Sequence, residues 1–304
     1  MPEPRRAGRG GTAYGPVLAL VLVQLFFGVF AVIGKVALRE TTPFVLTAFR
    51  AVLGAALLSL LSRVLAPNEP IWDRRDTLTV VVLGLLGVFG NQLLFVSGLA
   101  RTTATNATLL GVTIPVFTLL LSLLLGADRP GLRRTLGIPV ALLGVLLLLL
   151  PRGADLHPEH LAGNLLVVAN CLVYSGYLVL SREILTRRSA FAVVAAAFRA
   201  AALPVVLVAL PDLLRFRPAA VSATGWGAIA GVVLLSTVGA YALNAWALAR
   251  TGPATAAAFI YLQPLIAALL AAAVLGERPG ARTFAAAGFI FAGLALSTWP
   301  SRRA

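Results

Sequence analysis

Ten apolar runs, each long enough to cross a bilayer, follow one another along this chain. They fall at about 16–38, 44–65, 77–99, 103–125, 133–150, 162–181, 190–210, 225–249, 253–275 and 282–299. Hydrophobic residues make up 59% of the sequence and charged residues 12%, far from the balance of a soluble domain. The stretches between runs are too short to hold a separate soluble domain. The expected fold class is therefore an all-α membrane protein, with ten transmembrane helices.

The ten runs divide into two copies. Phe49-Arg50-Ala51 returns 149 residues later as Phe198-Arg199-Ala200, and Leu99-Ala100-Arg101-Thr102 as Leu248-Ala249-Arg250-Thr251. Gly90, Pro115 and Gly144 return as Gly239, Pro264 and Gly293, and Asp128-Arg129-Pro130-Gly131 as Glu277-Arg278-Pro279-Gly280. An offset that never slips marks a duplication rather than shared composition. The copies cover residues 16–150 and 162–299, five spans each. An odd number of spans places them upside down relative to each other, as two inverted five-helix repeats, an arrangement common in membrane transporters.

The net charge of +14 raises the question of a polyanion partner, and its placement answers it. Counted over alternate loops, 15 Lys/Arg lie on one side and 8 on the other, with Arg50 and Arg199 inside spans. That asymmetry puts both termini in the cytoplasm. The basic excess orients the chain in a lipid bilayer and is not a nucleic-acid surface. The single cysteine, Cys171, lies within a span and leaves no intrachain disulfide. The first run lacks a clear small-x-small cleavage site and is expected to be an uncleaved span.

Pro115 and Pro264 sit in the middle of spans 4 and 9. Each removes a backbone donor, leaving the carbonyl four residues earlier, Gly111 or Ile260, without its helical partner. A free carbonyl in hydrocarbon must face protein or water. Matched broken helices in two halves point to a central site; the other reading is a pair of packing kinks satisfied by neighbouring hydroxyls. Polar residues inside the spans suggest the same centre. Asn170, Tyr174, Tyr177 and Ser181 share one face of span 6, and Thr237, Tyr241 and Asn244 one face of span 8. Span 1 adds Gln24, span 3 Asn91 and Gln92, and span 4 Asn106, Thr108 and Thr113. Tyr261 and Gln263 flank the break in span 9, at a two-residue spacing that keeps both from pointing fully inward. Each residue alone could serve a helix–helix seam. Together they suggest a cavity with aromatic walls and uncharged hydrogen-bonding groups, suited to a small amphipathic solute.

No Asp or Glu lies near the middle of a span; Glu40, Asp128, Glu183 and Glu277 sit at span ends. Proton-coupled carriers usually keep a titratable group within the membrane, so the pattern leans toward facilitated diffusion or toward coupling through the substrate's own charge. Arg50 and Arg199 are open to two readings, attraction of a substrate carboxylate, or a structural role in which they snorkel or pair with a span-end acid such as Glu40 or Glu183. Lys35, near the end of span 1, is open to the same two readings, and Arg101 and Arg250 read as span-end anchors. His157 and His160 share a loop with Asp155 and Glu159, which solvent explains without a metal. No catalytic or phosphate-binding motif appears, and no cofactor, metal or enzymatic activity is expected.

Three stretches carry a resemblance. Phe27-Gly28, Lys35, Pro43 and Arg50 look like the opening signature of the EamA family of the drug/metabolite transporter superfamily. Asn91-Gln92, Gly98-Leu99, Thr102, Ala104-Thr105 and Pro115 resemble its third and fourth spans. Gly252-Pro253, Gln263-Pro264, Leu275-Gly276-Glu277, Gly288 and Ala292-Gly293 resemble its closing half. The wording of Val23-Gln24-Leu25-Phe26-Phe27 is similar to the plant nodulin-like branch, whose members export amino acids and related metabolites. Phe27 stands where many members have Trp. The resemblance implies a ten-helix bundle with a cavity between the halves, working by alternating access. The expected function is an inner-membrane permease for a small organic solute, amino acids or related amphipathic metabolites foremost. A proton-coupled multidrug-type exporter using Asp128, Glu183 or Glu277, and a non-transporting scaffold or receptor, are the alternatives.

Overall fold

The computed structural model describes residues 14–126, 131–149, 158–266 and 281–298, and among these every regular element is a helix. We label them α1 (Tyr14–Ala37), α2 (Pro43–Leu65), α3 (Arg74–Arg101), α4 (halves Ala104–Gly111 and Ile114–Leu124), α5 (Leu132–Leu149), α6 (Pro158–Arg187), α7 (Ala190–Arg215), α8 (Ala223–Thr251), α9 (Pro253–Ile266) and α10 (Ala281–Thr298). Six of them, α1, α2, α3, α6, α7 and α8, are long and apolar enough to cross a membrane on their own. The apolar parts of α4, α5, α9 and α10 are shorter. The reason differs: α4 is cut by its break, and α9 runs to the edge of the described residues.

Local chemistry sets the helix starts. Thr42 caps α2, its hydroxyl accepting from Val45 N, with Pro43 in the first turn, where a missing N–H costs no bond. Ser222 caps α8 in the same way through Gly225 N at 3.0 Å. Gly252 links α8 to α9 with a φ of 89°, a region closed to most side chains.

The packing follows the 149-residue offset. α5 runs along α10 and α2 along α7, so each pair joins equivalent helices. α3 packs on α6 and α1 on α8, two contacts that the offset exchanges. Gly144 and Gly293 face each other's helices: a Cβ on Gly144 would lie 2.7 Å from the Ala286 carbonyl oxygen, and one on Gly293 2.5 Å from the Ala141 nitrogen. Lipid supplies no hydrophobic drive between helices, so such close backbone contact is what holds α5 to α10. The oddities of the backbone recur as well. α3 widens into a π-helical stretch at Leu85–Gly90, and α8 does so at Val232–Gly239. α4 breaks at Val112–Thr113, and α9 tightens into a 3-10 turn at Phe259–Tyr261 just before Pro264.

The apolar core is matched by an apolar exterior, and polar groups lie within. Leu18, Leu60, Leu78, Leu203, Leu214 and Phe284 are exposed, while Gln24, Arg50, Gln92, Asn106, Asn170 and Asn244 are buried. A greasy exterior of this extent fits lipid as the surrounding solvent.

Candidate functional site

The buried polar residues meet where first-half helices face second-half helices. The Tyr241 hydroxyl on α8 donates to the Gly87 carbonyl in the π stretch of α3 at 2.7 Å, and lies 3.5 Å from Asn91 Oδ1. Asn170 Nδ2 on α6 donates to the Asn91 carbonyl at 2.8 Å. Asn244 Nδ2 donates to the Tyr174 hydroxyl at 3.2 Å. Tyr174 stacks on Tyr177 with centroids 5.9 Å apart, Tyr177 leans on Tyr241 at 6.4 Å, and Phe198 meets Tyr241 edge-on at 5.0 Å. Gln92 is fully buried beside the Tyr241 phenol, and neither of its amide atoms completes a hydrogen bond. π stretches leave backbone groups out of the helical ladder, which is what frees the Gly87 carbonyl for a side chain 154 residues away.

A second contact lies at the α9 break. Gln263 Nε2 donates to Gln24 Oε1 on α1 at 2.8 Å, again joining the two halves. Tyr261 is fully buried with no partner for its hydroxyl. Tyr261 is buried and Gln263 half-buried, as their two-residue spacing leads one to expect. Pro115 and Pro264 are buried at their breaks. Beside Pro115, α6 reaches the backbone of α4: Ser175 Oγ donates to the Ile114 carbonyl at 3.1 Å and Cys171 Sγ to the Leu110 carbonyl at 3.5 Å. Ser181 bonds its own helix at Leu178.

Asn106 belongs to a different cluster, at the junction of α3, α4 and α6. Its Nδ2 donates to Thr102 Oγ1 at 3.1 Å and Asn164 Oδ1 at 3.2 Å, while Lys35 Nζ donates to the Thr102 carbonyl at 2.6 Å. The Thr108 side chain lies outside the described residues, as do His157, Asp128 and Glu277. His160 rests 3.4 Å from the Arg101 carbonyl. An open surface groove of about 560 Å³ between Ser97, Arg101, Ala162, Leu165 and Leu166 borders this junction and touches none of the residues around Tyr241.

The two matched arginines part company. Arg50 is 2% exposed, with Nε donating to Thr237 Oγ1 at 3.0 Å and its guanidinium 4.5 Å from the Phe30 ring centroid. Arg199 is exposed on α7. Glu40 does not pair with Arg50. Its carboxylate instead accepts from Ser222 N at 2.6 Å and Ser222 Oγ at 2.7 Å, outside the membrane-spanning segments, and these bonds hold its pKa below the ordinary value. At the other end, Asp76 is buried against Arg187 at 2.6 Å and Arg188 at 3.3 Å. Arg250 lies over the Trp246 ring at 4.1 Å.

Sequence reasoning did not foresee the Arg50–Thr237 bond and passed over Asn164. The repeat offset holds no clue to either, since Val88 stands opposite Thr237 and Gly15 opposite Asn164. Amides, phenols, hydroxyls and one guanidinium make up the central cluster, groups that bind and orient a solute.

Comparison with known proteins agrees with this architecture. A chain from Archaeoglobus fulgidus called an uncharacterized transporter is 28% identical over 290 residues, covering 92% of this chain and 96% of its own. A WAT1-related protein of Arabidopsis thaliana is 24% identical over 329 residues, covering 93% and 84%. Protein WALLS ARE THIN 1 of the same plant is 24% identical over 298 residues, covering 86% and 76%. One solved crystal structure superposes with a TM-score of 0.75 at 20% identity, over 92% of this chain and 94% of the other, and shares the fold. The EamA-like transporter family model matches twice, at residues 15–150 and 161–299, and the chain belongs to that family.

Proposed function

We propose that this membrane protein is an inner-membrane permease that moves a small organic solute, amino acids or related amphipathic metabolites, by alternating access. The proposed frame is ten spans in two inverted repeats, residues 16–150 and 162–299, with both termini in the cytoplasm. The observation that carries this reading is where the hydrogen bonds fall. Tyr241 to Gly87, Asn170 to Asn91, Gln263 to Gln24 and Arg50 to Thr237 each join one family match to the other. A boundary laced with polar groups can be rewetted when two halves rock apart; a boundary of leucines cannot. Gln92 and Tyr261, buried with unpartnered polar atoms, add donors and acceptors that a solute would use. Gln24, Asn91, Gln92, Asn106, Thr108, Asn170, Tyr174, Tyr177, Tyr241, Asn244, Tyr261 and Gln263 remain the proposed solute contacts, Asn106 and Thr108 at the end of the path.

The test is flux. Purified protein in liposomes is offered a mixed metabolite pool rich in amino acids, and uptake is read by mass spectrometry with and without a pH gradient. Uptake to equilibrium in both conditions supports a facilitator and names its solute. Accumulation only under the gradient means proton coupling, and absence of any flux from folded protein refutes the reading.

A further inference from the structure

Arg50 is a cation that the fold buries and leaves half used. Its Nε is satisfied by Thr237, yet neither terminal amino group has an acceptor among the described residues. No carboxylate lies within ion-pair distance of it there; the described carboxylates with arginine partners are elsewhere, on Asp76. The Phe30 face offers weak compensation. An uncompensated charge inside a membrane is costly and persists where it serves a function. The neighbourhood is furnished to match. Tyr241 stands one turn after Thr237, and the fully buried Gln92 beside it has both amide atoms unpartnered.

We propose that Arg50 is the solute-recognition cation of this protein and takes a carboxylate on its two free amino groups, with Gln92 as the neutral neighbour. The guanidinium fork matches the two oxygens of a carboxylate in a bidentate pair. Charge decides between carboxylate and phosphate. One arginine neutralises one negative charge, so a single carboxylate is fully paired in a low-dielectric interior. A phosphate monoester dianion would leave a net charge there, and the matched cation, Arg199, is exposed and supplies no second contact. The inference rests on the transport reading and narrows it to solutes that carry a carboxylate.

The experiment uses matched pairs, phenylalanine against phenylalaninamide and leucine against leucinamide, on wild type, Arg50→Gln and Arg50→Lys. Liposome flux is one readout, and ligand-induced shift of the unfolding midpoint in detergent is the other. Wild type should favour the carboxylate over the amide by about tenfold or more, in flux and in midpoint shift. Arg50→Gln should lose that preference while still moving amides, and Arg50→Lys should recover part of it. The unliganded midpoint of each variant shows that it folds. Equal handling of acid and amide by wild type, or an undiminished preference in Arg50→Gln, overturns the role of Arg50 while leaving transport standing. If folded wild type moves nothing at all, the transport reading falls. The midpoint shift then judges Arg50 alone, a carboxylate-selective shift lost in Arg50→Gln supporting it and no such shift overturning it.

Discussion

Gly87→Ala should jam the boundary between the halves. A Cβ at position 87 would stand 2.3, 2.6 and 2.8 Å from three ring carbons of Tyr177, where carbon–carbon contact settles at about 3.5–4.0 Å. The ring would have to withdraw by roughly 1 Å. It has nowhere to go, being 3% exposed, stacked on Tyr174 on one side and leaning on Tyr241 on the other. Overpacking of a rigid site costs about 3 kcal/mol at the upper end of its usual range. Exchanging glycine for alanine within a helix returns about 1 kcal/mol, so the net loss is about 2 kcal/mol. SDS titration of the protein in mixed micelles measures it. The origin of the cost is separable by a double-mutant cycle. With Tyr177→Ala in place the clash is gone, and Gly87→Ala should become neutral or stabilising, a coupling of about 3 kcal/mol. Gly227→Ala, on α8 with open space around it, is the matched control and should not destabilise. The reasoning is refuted if Gly87→Ala costs the same with and without the Tyr177 ring, or if Gly227→Ala is equally harmful.

Three further outcomes are expected. Asp76→Asn removes the carboxylate shared by Arg187 and Arg188 and leaves Arg188, whose side chain is 8% exposed, short of its partner; the unfolding free energy should fall by about 1–3 kcal/mol, whereas Arg187→Gln, at a half-exposed site, should cost under about 1 kcal/mol. Glu40 has its pKa lowered in the folded state, so its stabilising bonds to Ser222 are intact above the ordinary value of 4.5 and are lost as pH falls below it through the folded value; wild type should lose stability over that acid window more steeply than Glu40→Gln, and parallel curves would contradict the assignment. Asn244→Ala and Tyr174→Ala each delete one side of the Asn244–Tyr174 hydrogen bond and should lower liposome flux while expression is retained; normal flux in both would remove the central aromatic cluster from the solute path.

What the sequence shows and hides follows from the range of the interaction involved. The apolar runs foreshadow the helices to within a few residues at most ends, because burial in lipid depends on the run itself. The broken α4 and α9 are legible too, since proline carries the defect in its own ring. The π stretches at Leu85–Gly90 and Val232–Gly239 are not, because neither has a residue that dictates a wider turn. The first takes a contact from elsewhere, Tyr241 on the Gly87 carbonyl, and the second one of its own, Thr237 on the Val232 carbonyl five residues back. Helical periodicity correctly places Asn170, Tyr174 and Tyr177 on one face and Thr237, Tyr241 and Asn244 on another. It says nothing of which face meets which, so Arg50 stays open between a solute carboxylate and a structural role, and its bond to Thr237 is visible only in the structure.

The duplication has kept its backbone and parted in its side chains, and the parting falls where chemistry is concentrated. Gly144 and Gly293 still interlock, and both π stretches still end at equivalent glycines, Gly90 and Gly239. Position 87, bare so that Tyr177 can approach, is matched by Ser236, whose hydroxyl bonds the Phe26 carbonyl at 3.1 Å. Arg50 is sealed against Thr237, while Arg199 emerges on the outside of α7. Nine residues into that helix, Arg199 sits about 14 Å from its start, a span that a long arginine side chain shortens by reaching toward the interface. Two equivalent buried arginines would repel each other across a low-dielectric boundary. Keeping one cation inside and turning its counterpart outward removes that repulsion and leaves a single charge for a single solute group. The symmetric frame supplies the two halves, and the asymmetric pair of arginines gives their boundary its sign.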